Sequence, residues 1–322
     1  MQRYPLAAAL ALLPLTALAQ TPTSTEAALA APPLVVTSGR QTEPKTAAVA
    51  ATSVFNRADI ERLQARNVPD LLARVPGVFT RSSGGLISYS VRGTKSAQTL
   101  VLVDGQRVAS ASSGIARLDY LSIDNIERVE VSRGARSSLY GADAIGGVIQ
   151  IFTRRGGNGL QPSVRLATGS QQTYQRSASL SGGDQASNFS LGANLDESSG
   201  HDSTRDNAGA DSDADGTRNQ AQYLTLDHQL NDSWQAGLTY NEQFGKNEYD
   251  DAYEQAPASP SDQFRVGSAS SYLQGQLSDA WLSRLEVGRS YDRNKAVDAA
   301  SPWSNGLNAT TRHSASWLNH LA

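Results

Sequence analysis

Three aspartates, Asp211, Asp213 and Asp215, stand at alternate positions just ahead of Gly216, in the stretch G-A-D-S-D-A-D-G-T. Carboxylates spaced this way can wrap a hard divalent cation, and an EF-hand calcium loop opens in the same form. An EF-hand also needs a bidentate Glu at its twelfth position and a helix on each side. Counted from Asp211, that position is Gln222, and upstream Phe189, Leu191, Ala193 and Leu195 alternate with polar or small residues, which marks a strand. The helix-loop-helix reading fails. What remains is an acidic loop between two strands. Segment 196 to 220 sets Asp196, Glu197, Asp202, Asp206, Asp211, Asp213 and Asp215 against Arg205 and Arg218. Such an excess repels itself unless cations bind, and calcium accepts irregular sets of roughly six to eight oxygens, so two loops could share ions. A solvated acidic loop stays open as the alternative.

Other chemistry finds little support. The chain has no cysteine, which excludes a disulfide scaffold, a thiol nucleophile and cysteine-ligated metal. His201, His228, His313 and His320 stand apart from any G-x-S-x-G motif, so a secreted hydrolase is a weak reading. The net charge is -3 and no Lys/Arg run exceeds two residues, which gives nucleic acid no concentrated basic face.

Several elements must position the acidic loop. Arg3 precedes an apolar run from Leu6 to Leu18 that ends in Ala17-Leu18-Ala19, so residues 1–19 read as a cleavable signal peptide. No later apolar stretch reaches the length of a membrane-spanning helix. Residues 20–48 read as a flexible tail carrying one β-prone patch, Leu34-Val35-Val36-Thr37, which a partner could take as an added strand. Residues 49–157 read as a compact α+β unit. Asn56 can cap a helix with Asp59 at its third position, a second turn runs from Pro69 to Val75, and Asp104-Gly105 signals a hairpin between 99–103 and 107–109. Gly141, Gly146 and Gly147 mark backbone that turns tightly or approaches another surface.

From residue 163 to 322 the period becomes two, with strands expected at 163–169, 173–181, 188–196, 221–230, 233–243, 269–278, 281–291 and 312–319. Short connections alternate with long ones at 197–220, 244–268 and 292–311, the pattern of an outer-membrane barrel with short periplasmic turns and long external loops. The predicted fold is therefore an α+β plug followed by the first strands of an antiparallel transmembrane β-barrel. Plugged barrels have about 22 strands, so eight in a chain that ends inside an apparent strand point to truncation.

These residues carry a family resemblance. Leu34-Val35-Val36-Thr37 resembles a TonB box, placed at 34–38. Arg92-Gly93-Thr94, Val101-Leu102-Val103-Asp104-Gly105, Glu127-Arg128-Val129-Glu130-Val131 and the run from Leu139 to Ile149 are similar, in order, to the plug motifs of TonB-dependent outer-membrane transporters. Within that superfamily the chain most resembles the vitamin B12 (cobalamin) receptors. The resemblance implies a non-enzymatic receptor in the cell outer membrane that imports cobalamin or a related corrinoid. Its partners would be TonB, with the ExbB/ExbD energising complex, and outer-membrane lipid. It also implies Ca2+ held by Asp202, Asp211, Asp213, Asp215, Asp250, Asp251 and Asp262, and substrate contacts at Leu86, Ser88, Ser113, Gly114 and Ala252. Lys95 follows Arg92-Gly93-Thr94 where those receptors carry a neutral residue, so a cation joins the expected pocket. A siderophore receptor is the alternative ligand reading, and a calcium-dependent surface adhesin is a more distant one.

Overall fold

A computed structural model describes residues 35–36, 43–44, 51–83, 86–111, 113–135, 137–202, 214–250, 260–298 and 302–321. Residues 1–34, with the expected signal peptide and most of the tail, lie outside them. Val35–Val36 (β1) pairs antiparallel with Glu43–Pro44 (β2), Val35 opposite Pro44 and Val36 opposite Glu43.

The unit that follows begins with Ala51–Asn56 (β3) and the helix Arg57–Leu63 (α1). Extended Asn56 accepts the Asp59 N–H at 2.9 Å, and the Asp59 carboxylate accepts the Asn56 N–H at 3.3 Å, so the expected cap forms as a reciprocal box. The second helix, α2, spans Val68–Leu72, with Asn67 as its cap and Pro69 in its first turn. It is shorter than the expected Pro69–Val75 segment, because single turns carry the chain onward from Leu72 to Val78. A hairpin of Val78–Ser83 (β4) and Leu86–Val91 (β5) leads to Thr99–Val103 (β6), Gln106–Arg107 (β7), Ile126–Arg133 (β8) and Gly147–Thr153 (β9).

These strands make a five-stranded sheet in the order β3-β8-β9-β6-β7, with β6 and β9 parallel. The core beneath it gathers Ile60, Leu71, Leu72, Val101, Val129, Ile149 and Ile151, all at most 2% exposed. Asp104 and Gly105 form the hairpin turn with φ of 46° and 80°. The returning strand starts at Gln106, not Arg107, and its ladder stops at Arg107; the Val108 N–H still donates to the Val101 carbonyl at 3.4 Å, and the Ala109 carbonyl accepts Arg312 of the wall described next at 3.5 Å. Gly146 is a close-approach glycine as expected: a Cβ there would meet the Thr94 Oγ1 at 2.1 Å, while its own N–H donates to the Gln98 carbonyl at 2.9 Å.

Eight strands then pair each with the next: Gln161–Gly169 (β10), Thr173–Gly183 (β11), Ser187–Ser198 (β12), Thr217–Gln229 (β13), Trp234–Glu248 (β14), Ser261–Ser278 (β15), Trp281–Val297 (β16) and Gly306–Leu321 (β17). Burial in this wall is inverted. Ser190, Thr225, Asn241 and Ser268 are buried at 0 to 2% exposure, while Leu226, Leu238, Leu285 and Trp317 on the other face are exposed. That is the alternation of a barrel whose outer surface meets lipid.

Several strands run further toward the long-loop end than period-two reading expects. β13 starts at Thr217, β14 ends at Glu248, β15 starts at Ser261, β16 ends at Val297 and β17 starts at Gly306. In these extensions the outward positions are polar too, for example Arg218, Lys246, Arg265 and Arg293. Alternation therefore fades while the ladder continues, and the long connections shrink to 199–216, 249–260 and 298–305. One turn at that end is short: Gln171 and Gln172, both with positive φ, join β10 to β11.

The α+β unit and the wall are joined along the wall's inner face. Gln106 donates to Glu286 at 2.9 Å and sits over Gly288, where a Cβ would meet its amide at 2.2 Å. Ser290 Oγ donates to the Arg107 carbonyl at 2.6 Å.

Candidate ligand cavity and coupling strand

Two ends of the molecule can be told apart by what the plug-like unit touches. Near the long connections, the Ala111 N–H donates to Thr310 Oγ1 at 2.9 Å, and Tyr120 stacks on Phe264 with ring centroids 3.4 Å apart and 8° between planes. Arg117 lies over Tyr120 at 4.1 Å and binds Asp119 at 3.1 Å and Asp262 at 3.5 Å. Burial opposes the Arg117 charge, but Asp119 and Asp262 outweigh it and hold the guanidinium more basic than usual. The Asp119 carboxyl is pushed up by the same burial, with Arg117 opposing. At the short-turn end, Arg155 grips both oxygens of Asp227 at 2.8 Å. Asp104 is held by the N–H and hydroxyl of Thr153 at 3.0 and 2.6 Å, and desolvation raises its pKa in spite of them.

At the long-loop end the unit carries a cavity of about 560 Å³ lined by Phe79, Arg81, Ser88, Lys95, Ser113 and Ile115, among others. Three sequence-expected contact residues, Ser88, Lys95 and Ser113, thus come together from β5, from the turn before Ser96–Gln98 and from the 109–115 loop. Their positions are fixed locally. Ser96 Oγ accepts the Tyr89 N–H at 3.0 Å and donates to the Tyr89 carbonyl at 2.7 Å, tying the Lys95 turn to β5. Gly114, with φ of +71°, presses against Ala97, since a Cβ would lie 2.8 Å from that methyl. Leu86 opens β5, two residues before Ser88. Ala252 lies outside the described residues.

Sequence reading missed Phe79 and Arg81. Phe79 is 70% exposed while its neighbour Val78 is 5% exposed. An aromatic on the polar side of a hairpin was the available signal. Arg81 and Lys95 both line this cavity, and among the described residues neither has an ion-pair partner.

Residues 44–148 match the family model described as TonB-dependent Receptor Plug Domain. Over 290 residues the chain is 32% identical to the vitamin B12 transporter BtuB of Photobacterium profundum, a match that covers 89% of this chain and 47% of that relative. The chain belongs to the TonB-dependent receptors. It spans about half the length of the curated relative it matches. Solved receptors agree on the fold. The siderophore receptor PirA from Acinetobacter baumannii superposes with a TM-score of 0.63 at 21% identity, covering 84% of this chain and 44% of that one. The ferripyoverdine receptor of the Pseudomonas aeruginosa outer membrane gives 0.69 at 15%, covering 89% and 41%. The five-stranded unit is therefore a plug, the eight strands are barrel wall, and this TonB-dependent receptor is an outer-membrane protein.

Of the expected TonB box, Leu34 and Thr37 lie outside the described residues, and Val35 and Val36 form β1. Of the expected calcium ligands, Asp211, Asp213 and Asp251 lie outside them. Asp202 and Asp215 stand at the two stems of the 199–216 connection, joined by the Asp215 N–H to the His201 carbonyl at 3.3 Å. Gly216 and Glu248 bond at 2.9 Å through main chain and 3.1 Å through the side chain, which sets this stem beside that of Asp250. Asp262 is buried in its ion pair with plug Arg117. Among the described residues no three acidic or histidine side chains converge as a metal cage.

Proposed function

We propose that this receptor captures cobalamin or a related corrinoid at the outer face and imports it at the expense of energy delivered by TonB. The 32% identity to a vitamin B12 transporter over most of the chain is the observation that carries this reading. Capture uses the plug cavity, where Ser88 and Ser113 offer polar contacts and exposed Phe79 an apolar plate for a large flat ligand, with Gly114 in the chain between the lining residues Ser113 and Ile115. Leu86 and Ala252 complete the contact set.

Ca2+ bound by Asp202, Asp211, Asp213, Asp215, Asp250 and Asp251 would order the two acidic loops. Its chemistry is the neutralisation of clustered carboxylates, and pre-ordering reduces the entropy lost on capture. Adjacent stems at Gly216 and Glu248 support a site shared by both loops. Asp262 would have to exchange Arg117 for the ion.

On the periplasmic side, TonB takes the Leu34 to Thr37 segment as an added strand, replacing Glu43–Pro44 as the partner of Val35 and Val36. Val36→Pro removes one N–H from that ladder. Cyanocobalamin binding to the full-length receptor is expected to persist while uptake is lost, and normal uptake in this variant would refute the coupling role. Calorimetric titration with cyanocobalamin, with and without Ca2+, is expected to show tighter binding with the ion.

A second reading, import of a ferric siderophore, is favoured by one observation: Arg81 and Lys95 give the cavity a positive character that suits an anionic chelate. Binding of an anionic ferric chelate, insensitive to calcium chelation, with no heat from cyanocobalamin, would decide for it.

A further inference from the structure

The outer face of the wall changes character along β16. Its outward side chains run Trp281, Ser283, Leu285, Val287, Arg289, Tyr291, Arg293 and Lys295, mostly apolar near the short turn and cationic toward the long loop. At about 3.3 Å per residue and a tilt of about 40°, Arg289 stands about 20 Å above Trp281 along the membrane normal, Arg293 about 30 Å and Lys295 about 35 Å. The apolar band of such barrels is about 25 Å tall. Arg289 therefore approaches the upper rim of the hydrocarbon, and the other two stand at headgroup level.

All three are exposed, and among the described residues none has an ion-pair partner. The register sharpens the point. Arg293 lies directly opposite Arg265 on β15, while across the other ladder Arg289, Arg293 and Lys295 face His313, Ala309 and Leu307. Like charges directly opposite destabilise a sheet unless an anion lies between them. The nearby outward carboxylates are engaged already, Glu242 by Arg265 at 2.6 Å and Glu248 by Lys246 at 2.7 Å. Among the described residues, the wall offers these three cations no carboxylate partner.

We propose that Arg289, Arg293 and Lys295, with Arg265, form a binding site for the phosphate groups of a phosphorylated glycolipid in the outer leaflet. Arginine forks suit phosphate oxygens, and outward Val287, about 15 Å above Trp281 by the same rise and tilt, lies at the depth that outer-leaflet acyl chains reach. This site is independent of which ligand the plug cavity takes.

The test uses the full-length receptor, purified in detergent and stripped of lipid, with native mass spectrometry to read bound lipid. The probes are bisphosphorylated lipid A, its dephosphorylated form and inorganic phosphate. Wild-type receptor is expected to retain bisphosphorylated lipid A over the dephosphorylated form, and Arg289→Gln/Arg293→Gln/Lys295→Gln to weaken it on the order of 100-fold, from about five-fold per cation. Arg293→Lys is expected to keep most of the binding. Should the triple variant lose the heat-modifiable gel shift of a folded barrel, Arg293→Gln alone, with an expected loss of about five-fold, decides. Equal retention of both lipids, unchanged binding in the variants, or displacement of the lipid by equimolar inorganic phosphate would each overturn the proposal.

Discussion

The plug sheet and the barrel wall are both mostly antiparallel, yet they bury opposite things. In the plug, Val101, Val129 and Ile149 are fully buried, and Arg62 and Arg66 of the helical face reach solvent. In the wall, Ser190 and Thr225 are buried, and Leu285, Val287 and Trp317 are exposed. The plug is driven together by removal of apolar area from water. The wall has lipid on its apolar side, so its inner face meets the plug with hydroxyls, amides and small residues, such as Ser290 on the Arg107 carbonyl and Gly288 beneath Gln106. One chain thus runs two folding rules, and the switch falls in the segment of Arg154 and Arg155 that anchors to Thr225 and Asp227.

The strongest way to break this contrast is a buried charge in the plug. Ile149→Asp is expected to destabilise the plug by more than about 4 kcal/mol, because an uncompensated carboxylate would replace an apolar side chain at 0% exposure. Barrel assembly in the outer membrane should survive, read by heat-modifiable migration, while limited proteolysis finds the plug open. Failure of both together would mean that the two regions are not separable. A matched pair on the wall has a smaller expected effect. Val287→Arg on the lipid face should lower barrel stability by roughly 2–4 kcal/mol, and Ser190→Leu on the inner face by roughly 1–3 kcal/mol through overpacking, both read by urea unfolding in lipid. A neutral Val287→Arg would remove the assignment of that face to lipid. Least disruptive is Asn56→Ala, which deletes the α1 cap and is expected to remove about 1 kcal/mol from the plug alone.

Much of this architecture could be read from residue order. The Asn56/Asp59 cap, the Asp104-Gly105 turn and the eight wall strands each leave a local pattern. Other features leave none. The parallel pairing of β6 with β9 joins segments far apart in sequence, and the Gln171–Gln172 turn takes left-handed backbone with neither Gly nor Asn to announce it. Strand extension above the lipid band was hidden because Arg218, Lys246 and Arg293 are polar on a face where apolar residues mark the lower half. At the candidate site, Ser88, Lys95 and Ser113 were legible through resemblance, and they line one cavity. Arg117 with Asp262 was not, since a contact spanning 145 positions depends on how plug and wall nest.

Gly146 does not line the cavity, yet it abuts Thr94, which does, and holds the Gln98 carbonyl by its N–H. Even a single methyl at this position would shove aside the short segment that begins at Lys95. Ligand preference could therefore drift through a spacer outside the cavity lining, and a search for specificity changes confined to lining positions would overlook it.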